Sequence, residues 1–434
     1  MIIIYRGYVM FKNTRLSAKS LLGLMVAASF SAPSFANDQL QSLIDWAVEH
    51  DSGRQQIHYQ AEAMQEMGIA QGQLMDPKLK MGVGGFPVEN MGFDNDPMTN
   101  ISVGLMQQFG RGDTLDLLER QAFEQASSIR EKAEIRQLDI EKAITTLWVE
   151  LHYQQQVQKL LKQNQQLFRS LEKYLSTNYG VGINQTQDII QSQLQISRIG
   201  EKIQANSQMQ KKIRAQLGEW LGDQASNLSP QNDPNWAQLS QSLNQSHSNF
   251  YPLLAQHPTV KAIDALIKSN ETGIDIANEA YKPQFGVEVM YGYRQAKGMN
   301  GDPASDLVSA YVTMDLPLFT DKRQDKKLSA AKLQLGATQS QKDLMLKQMN
   351  AQAQALFIDR QNITERLGRY NSTLLRQAKE KTRAIERGYQ NNTTQLDEYI
   401  RAASEELTLQ LEQQRLHADL QLANTNLAYL LNKY

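Results

Sequence analysis

The chain has 434 residues, 41% of them hydrophobic and 21% charged, with a formal charge of -1 and no cysteine. Its length leaves room for two or three domains, but a 7% aromatic share and a lean toward Gln, Ala, Leu, Lys and Glu describe long solvated helices rather than a thick globular core. Without cysteine there are no disulfides, no thiolate metal sites and no lipid-modified cysteine behind a signal peptide, and the near-neutral charge argues against nucleic acid as a partner.

At the amino terminus, Lys12, Arg15 and Lys19 precede the apolar run from Leu21 to Ala28, and Ser34-Phe35-Ala36 puts small residues at the positions a signal peptidase reads. This pattern predicts a secretory signal over residues 1–36, cleaved before Asn37. Met10 starts a better-proportioned signal than Met1. The apolar run is short for a transmembrane helix. Removing residues 1–36 takes away Arg6, Lys12, Arg15 and Lys19 and no acidic residue, so the formal charge moves from -1 to -5.

Residues 37–222 read as a first structural repeat. Leu40, Leu43, Ile44 and Ala47, then Ala61, Met64 and Met67, predict one or two helices broken near His50-Asp51, and Asp76-Pro77 closes that region. Leu79, Met81 and Val83 alternate with Lys80, Gly82 and Gly84, and Ile101, Val103 and Leu105 alternate with Ser102, Gly104 and Met106. These are two expected strands of about eight to ten residues, long enough to cross an outer membrane when tilted. From Gly112 to about Ser176 the chain has no proline, and apolar residues recur every three or four positions, which predicts a helix on the order of 100 Å long. The run is expected to break at Tyr179-Gly180-Val181-Gly182-Ile183-Asn184 and to resume at Asp188, a carboxylate suited to a first helical turn. The chain goes out and comes back.

Residues 223–256, rich in Ser, Asn and Gln, read as a connector. Residues 257–434 then repeat the pattern. His257-Pro258 answers His50-Asp51 and Lys282-Pro283 answers Asp76-Pro77; Phe285, Val287, Val289, Tyr291 and Tyr293 alternate as a strand, with Ala310, Val312, Met314 and Leu316 as its partner. A helix of nearly seventy residues follows, breaks at Gly388-Tyr389-Gln390-Asn391-Asn392-Thr393-Thr394 and returns to the end of the chain. Offsets of 206 from Pro77 to Pro283 and 210 from both Phe109 to Phe319 and Tyr179 to Tyr389 mark an internal duplication.

Four strands in lipid would leave two edges of unpaired backbone groups, so a barrel must close across several chains. Two copies give eight strands, whose interior side chains fill, and three give twelve and begin to leave a channel. The expected fold is therefore mainly α with membrane β-strands, the coiled hairpins forming an α-barrel that continues a twelve-stranded β-barrel.

At this point the chain resembles the TolC family of outer membrane efflux channels, over about residues 38–432. The resemblance rests on the duplicated order and on four places: Asp76-Pro77, Gln107-Gln108-Phe109-Gly110-Arg111-Gly112, Tyr179-Gly180-Val181-Gly182-Ile183 followed by Asp188, and Gly388-Tyr389 followed by Asp397. It implies a homotrimer in the outer membrane with a large periplasmic portion, docking onto a periplasmic adaptor and an inner membrane pump, with no chemistry and no cofactor of its own. The missing cysteine sets the chain apart from the lipid-anchored branch. The stretch Asp94-Asn95-Asp96-Pro97-Met98-Thr99 is similar to versions that serve heavy-metal pumps.

By the same resemblance the hairpin turns form the adaptor-docking tip, with Gly180, Val181, Gly182 and Ile183 in the first turn and Asn391, Asn392 and Thr393 in the second as contact candidates. Asn391-Asn392 replaces the usual Val-Gly pair. The bland alternative is that these residues only permit a tight reversal. Gate candidates are Asp188 and Tyr389, which match an aspartate and a tyrosine that close the tip in the family. Thr394 stands at the position where an arginine is common, so Arg383 and Arg387 are substitutes, and Asp397 or Glu398 could line the constriction. Asp188 is at least as well explained as a helix-start carboxylate.

Arg111-Gly112-Asp113 spells an adhesion tripeptide at a strand-to-helix junction and reads as structural. No histidine pair stands at metal-ligand spacing, and Met91, Met98, Met106, Met290, Met299 and Met314 suit soft-metal traffic no better than ordinary packing. No nucleophile motif or phosphate loop points to an enzyme. The competing class is a structural or adhesive coiled-coil surface protein, which explains the hairpins and the signal but not strands recurring at one offset.

Overall fold

The structure, a computed structural model, describes residues 38–89, 91–180, 185–246, 249–298 and 300–434. The expected signal, residues 1–36, lies outside them. The first repeat opens with helices α1 (Asp38–His50) and α2 (Ser52–Gln71), then strands β1 (Lys78–Gly84) and β2 (Asn100–Gln108), then the hairpin α3 (Thr114–Gly180) and α4 (Thr186–Leu221). The connector is more ordered than its composition promises, with a short 3-10 turn at Gly222–Ala225 and helices α5 (Ala237–Ser246) and α6 (Tyr251–Leu254). The second repeat holds α7 (Pro258–Glu279), β3 (Phe285–Tyr293), β4 (Leu307–Met314), α8 (Gln324–Arg369), α9 (Leu375–Gln390) and α10 (Leu396–Leu431).

The duplication is closer in the structure than in the sequence. Helix α3 starts at Thr114 and ends at Gly180; α8 starts at Gln324 and α9 ends at Gln390, both 210 residues on. Helices α4 and α10 keep the same offset at both ends, Thr186 to Leu396 and Leu221 to Leu431. Their inner faces match too, since Leu217, Leu221, Leu427 and Leu431 are all buried.

Three details differ from the periodicity reading. The outgoing helices run through Tyr179 and Tyr389 rather than breaking at them, because the glycines at 180 and 388 tolerate helical φ and ψ. Strand β1 has seven residues, short of the expected eight. The second outgoing helix contains a π-turn at Tyr370–Leu374, where Tyr370 donates to Glu412 Oε2 at 2.8 Å and Gln413 donates to Asn371 at 2.6 Å. Both bonds reach α10, so the extra residue of the turn turns polar side chains toward the returning arm.

The strands form one antiparallel sheet in the order β1-β2-β3-β4, so β1 and β4 are its edges. Beneath it α3 packs between α2 and α7, and α7 against α8; further along the hairpins α3 packs on α4 and α10, and α10 on α8 and α9. Buried side chains gather in three clusters: one around Ile144, Leu151 and Leu217, one around Phe250, Leu254 and Leu427, and one around Phe168, Ile199 and Tyr399. Among the described residues no helix is long and apolar enough to cross a membrane.

In both repeats the helix that precedes the strand pair, α2 or α7, opens with a side-chain cap, and the two caps lie 206 residues apart. Asp51 Oδ1 accepts from the Arg54 backbone at 2.6 Å, and His257 Nδ1 accepts from the Thr259 backbone at 3.2 Å. Asp51 also takes both arms of the Arg136 guanidinium, at 2.9 and 2.8 Å, which ties α2 to α3. That bond to Arg136 holds the Asp51 carboxyl below its ordinary range. A depressed carboxylate contributes stability above its unfolded pKa of about 3.9 and loses it as pH falls through the lower folded value. Asp51→Asn keeps a good cap but removes the charge, so it should cost about 1 kcal/mol at neutral pH for this partly exposed pair. Thermal melts of the two proteins should differ at pH 7 and converge below about pH 4; a difference that persists in acid assigns the loss to the cap instead.

Candidate functional site

The sheet has two unlike faces, fixed by the period of two along each strand. The register aligns Leu79 with Leu105, Leu105 with Val289, and Val289 with Ala310. On that face stand also Met81, Val83, Ile101, Val103, Phe285, Val287, Tyr291, Tyr293, Val308, Val312 and Met314, with Gln107 at its base. These side chains are exposed, Val289 by 50% at the centre of β3. A continuous exposed apolar face of this size is not what water selects. The opposite face carries Lys80, Gly82, Ser102, Gly104, Gly286, Glu288, Gly292, Ser309 and Thr313. Alternation in the sequence puts Glu288 on this polar face, but not its partner: Lys80 Nζ donates to Glu288 Oε2 at 2.6 Å across the intervening strand.

At the strand-to-helix junction, Arg111-Gly112-Asp113 is structural. Arg111 donates to the Lys282 carbonyl at 2.6 Å and pairs with Asp315, and the Asp113 backbone N–H donates to Glu279 Oε2 at 2.9 Å. Lys282 sits 2.7 Å from the same carboxylate and holds its pKa below the ordinary range. Gly112 has φ +50, and a Cβ there would lie 1.9 Å from that oxygen. The junction therefore clamps the two repeats together where the sheet meets the helices.

At the tip of the first hairpin, Gly180 is the last residue of α3; Val181, Gly182 and Ile183 lie outside the described residues. Asp188 stands in the first turn of α4, and its Oδ2 accepts from the Gln185 backbone at 3.4 Å, a long contact typical of a helix start. The second turn is fully described. Asn391 caps α9, Asn392 takes the left-handed conformation with φ +57, and the N–H groups of Asn392 and Thr393 donate to Tyr389 and Gly388 carbonyls at 3.0 and 2.8 Å. This is the standard reversal that follows a helix, with asparagine in the place glycine usually takes. The hydroxyl of Thr394 donates to the Ile385 carbonyl at 3.1 Å and closes the loop.

Tyr389 lies parallel to Tyr399, ring centroids 6.4 Å apart, and Tyr399 is buried, its hydroxyl pushed up to about 12 by burial and by Glu386 and Glu406. Tyr399 sits within the apolar spacing of α10, so periodicity marks it only as a packing residue. Arg387 donates to the Arg383 carbonyl at 3.3 Å, and Asp397 pairs with Arg401 one turn on, so these groups stabilise their own helices. The methionines divide: Met81 and Met314 stand on the apolar face, Met106 and Met290 on the polar one, and Met299 lies outside the described residues. Among the described residues no group of His, Cys, Asp and Glu is placed to hold a metal.

No protein-family model and no curated protein sequence matches the chain. Solved structures do match its fold. The outer membrane protein VceC from Vibrio cholerae aligns with a TM-score of 0.73 at 15% identity, over 91% of this chain and 96% of that one. The CmeC outer membrane channel of Campylobacter jejuni aligns with a TM-score of 0.72 at 11% identity, over 92% and 86%. The open state of the MtrE outer membrane channel of Neisseria gonorrhoeae aligns with a TM-score of 0.67 at 13% identity, over 90% and 88%. The chain thus has the long-hairpin and four-stranded-sheet fold of these outer membrane channels.

Proposed function

We propose that the chain is an outer membrane channel of the TolC family, the exit duct of a tripartite efflux system. One observation carries the reading: the sheet exposes an apolar face between two edge strands, β1 and β4. Water disfavours such a face, and lipid disfavours such edges. Three copies remove both costs by closing a twelve-stranded barrel, apolar side out and Glu288 side in. The repeats at residues 37–222 and 257–434, joined by 223–256, would each supply two strands and one hairpin to the periplasmic α-barrel. An adaptor would meet the tips at Gly180, Val181, Gly182 and Ile183 and at Asn391, Asn392 and Thr393, and an inner membrane pump would drive the substrate.

In this reading Asp188 and Tyr389 hold the tip closed in the free channel and adaptor binding releases them. The test is a detergent extract of outer membranes, cross-linked and then reconstituted into planar bilayers. Trimers with single-channel conductance support the reading, and a soluble monomer overturns it. Asp188→Ala with Tyr389→Phe should raise conductance while trimers stay intact. Unchanged conductance in intact trimers would leave Asp188 a helix cap and move the gate toward Arg383, Arg387 or Asp397.

A further inference from the structure

The polar face of the sheet carries few charges, and they are arranged. Lys78, Lys80 and Glu288 share it with glycine, serine, asparagine, threonine and methionine, and with Leu307 and Tyr311 of β4, Tyr311 standing directly opposite Glu288. Lys80 on β1 and Glu288 on β3 are separated by β2, and they meet because Gly104 lies between them. The register places Lys80 opposite Gly104 and Gly104 opposite Met290, one step along the face from Glu288. A Cβ at Gly104 would lie 2.5 Å from Met290 Cγ, so the gap over which the lysine reaches stays open only with glycine. Glu288 is 7% exposed, whereas the Lys80 side chain is 51% exposed, so the acid is covered and the base is half open.

A covered acid under a half-open base fixes how much charge the wall presents. The Glu288 carboxylate cancels the Lys80 ammonium, and Lys78 is left as the net charge among the strand residues of the face. We propose that the Lys80–Glu288 pair sets the ion selectivity of the membrane end of the conduit, holding the strand residues of its inner face at one net positive charge per copy. The proposal rests on the channel reading. It concerns the passing ion through its charge, and predicts that either half of the pair changes selectivity in the opposite sense to the other.

Glu288→Gln uncovers a charge on Lys80 and should shift the permeability ratio toward anions. Lys80→Gln leaves the carboxylate uncompensated and should shift it toward cations. Each shift should be about two- to fivefold, the effect of a unit charge a few ångström from the ion at water-like dielectric. The double variant Lys80→Gln with Glu288→Gln has the same net charge as the wild type and should return the ratio to the wild-type value. Reversal potentials of reconstituted trimers under a potassium chloride gradient read all four ratios. Singles that leave the ratio unmoved, or a double variant that fails to restore it, overturn the proposal and leave the pair as a clamp of strand register. Since Lys80→Gln strands a covered carboxylate, Glu288→Gln and the double variant carry the test should the lysine variant not assemble. A wild-type protein without conductance defeats the channel reading itself, a result distinct from intact channels with unchanged selectivity.

Discussion

In the proposed trimeric channel, replacing Val289 with arginine should remove assembled protein from the outer membrane. Val289 is the central residue of the nine in β3, half-exposed, flanked on the same face by Leu105 on one side and Ala310 on the other. No charged side chain stands within the strand residues of that face, and the residues directly beside Val289 across the sheet, Leu105 and Ala310, are apolar, so an arginine there has no carboxylate beside it. On the lipid face of a barrel, an arginine near the midplane costs about 2 to 4 kcal/mol, and a trimer bears it three times. The control is Ser309→Arg, on the opposite face of the neighbouring strand, opposite Met290. Heat-stable trimers on a gel should be lost with the first change and kept with the second. The reverse outcome would put the wrong face of the sheet toward lipid, which is what a register error of one residue does.

Gly112→Val should be nearly as damaging, for a reason unrelated to lipid. Its φ of +50 lies in the left-handed region, where a β-branched residue is strained by about 1 to 3 kcal/mol. The added Cβ would also fall on Glu279 Oε2, the oxygen that accepts from the Asp113 backbone and lies 2.7 Å from Lys282. Moving that carboxylate leaves a backbone donor without its partner at the start of the α3 helix, a further cost of about 1 to 3 kcal/mol. The yield of folded protein should therefore collapse. Gly336→Ala is the matched control: it is mid-helix with nothing within 4 Å of a new Cβ, and should raise stability by about 0.5 to 1 kcal/mol. Equal yields for the two variants would show that the junction backbone is not held as the structure has it.

The two experiments probe different sources of information. The faces of β3 were legible in the residues, because alternation of Val287, Glu288 and Val289 assigns a side to each wherever one side is covered. The helix bounds were nearly legible as well: spacings of three and four marked α3 and α10, and the constant offset of 210 tied the turn at Tyr179 to the turn at Tyr389. What misled the periodicity was local chemistry at the ends, where glycine at 180 and 388 reads as a break but is accommodated inside the last helical turn. The π-turn at Tyr370–Leu374 carries no such mark, since its residues would fit an ordinary helix and only the folded backbone, wider by one residue in that turn, distinguishes it.

The sequence by itself therefore determined the repeat, the order of helix and strand, and which side chains of each strand share a face, because all of these are written in spacings along one segment. The tertiary structure alone decided who meets whom. Lys80 and Glu288 are 208 residues apart and become partners only through the strand order β1-β2-β3-β4 and the missing side chain at Gly104. Arg111-Gly112-Asp113 reads as structural from its place in the sequence, but that Gly112 must be glycine follows only from Glu279, distant in sequence, which fills the place its side chain would occupy. The physical reason is the same in both cases: periodicity records whether a segment is covered, but contact energy depends on which segment covers it, and that is set when the two repeats pack against each other.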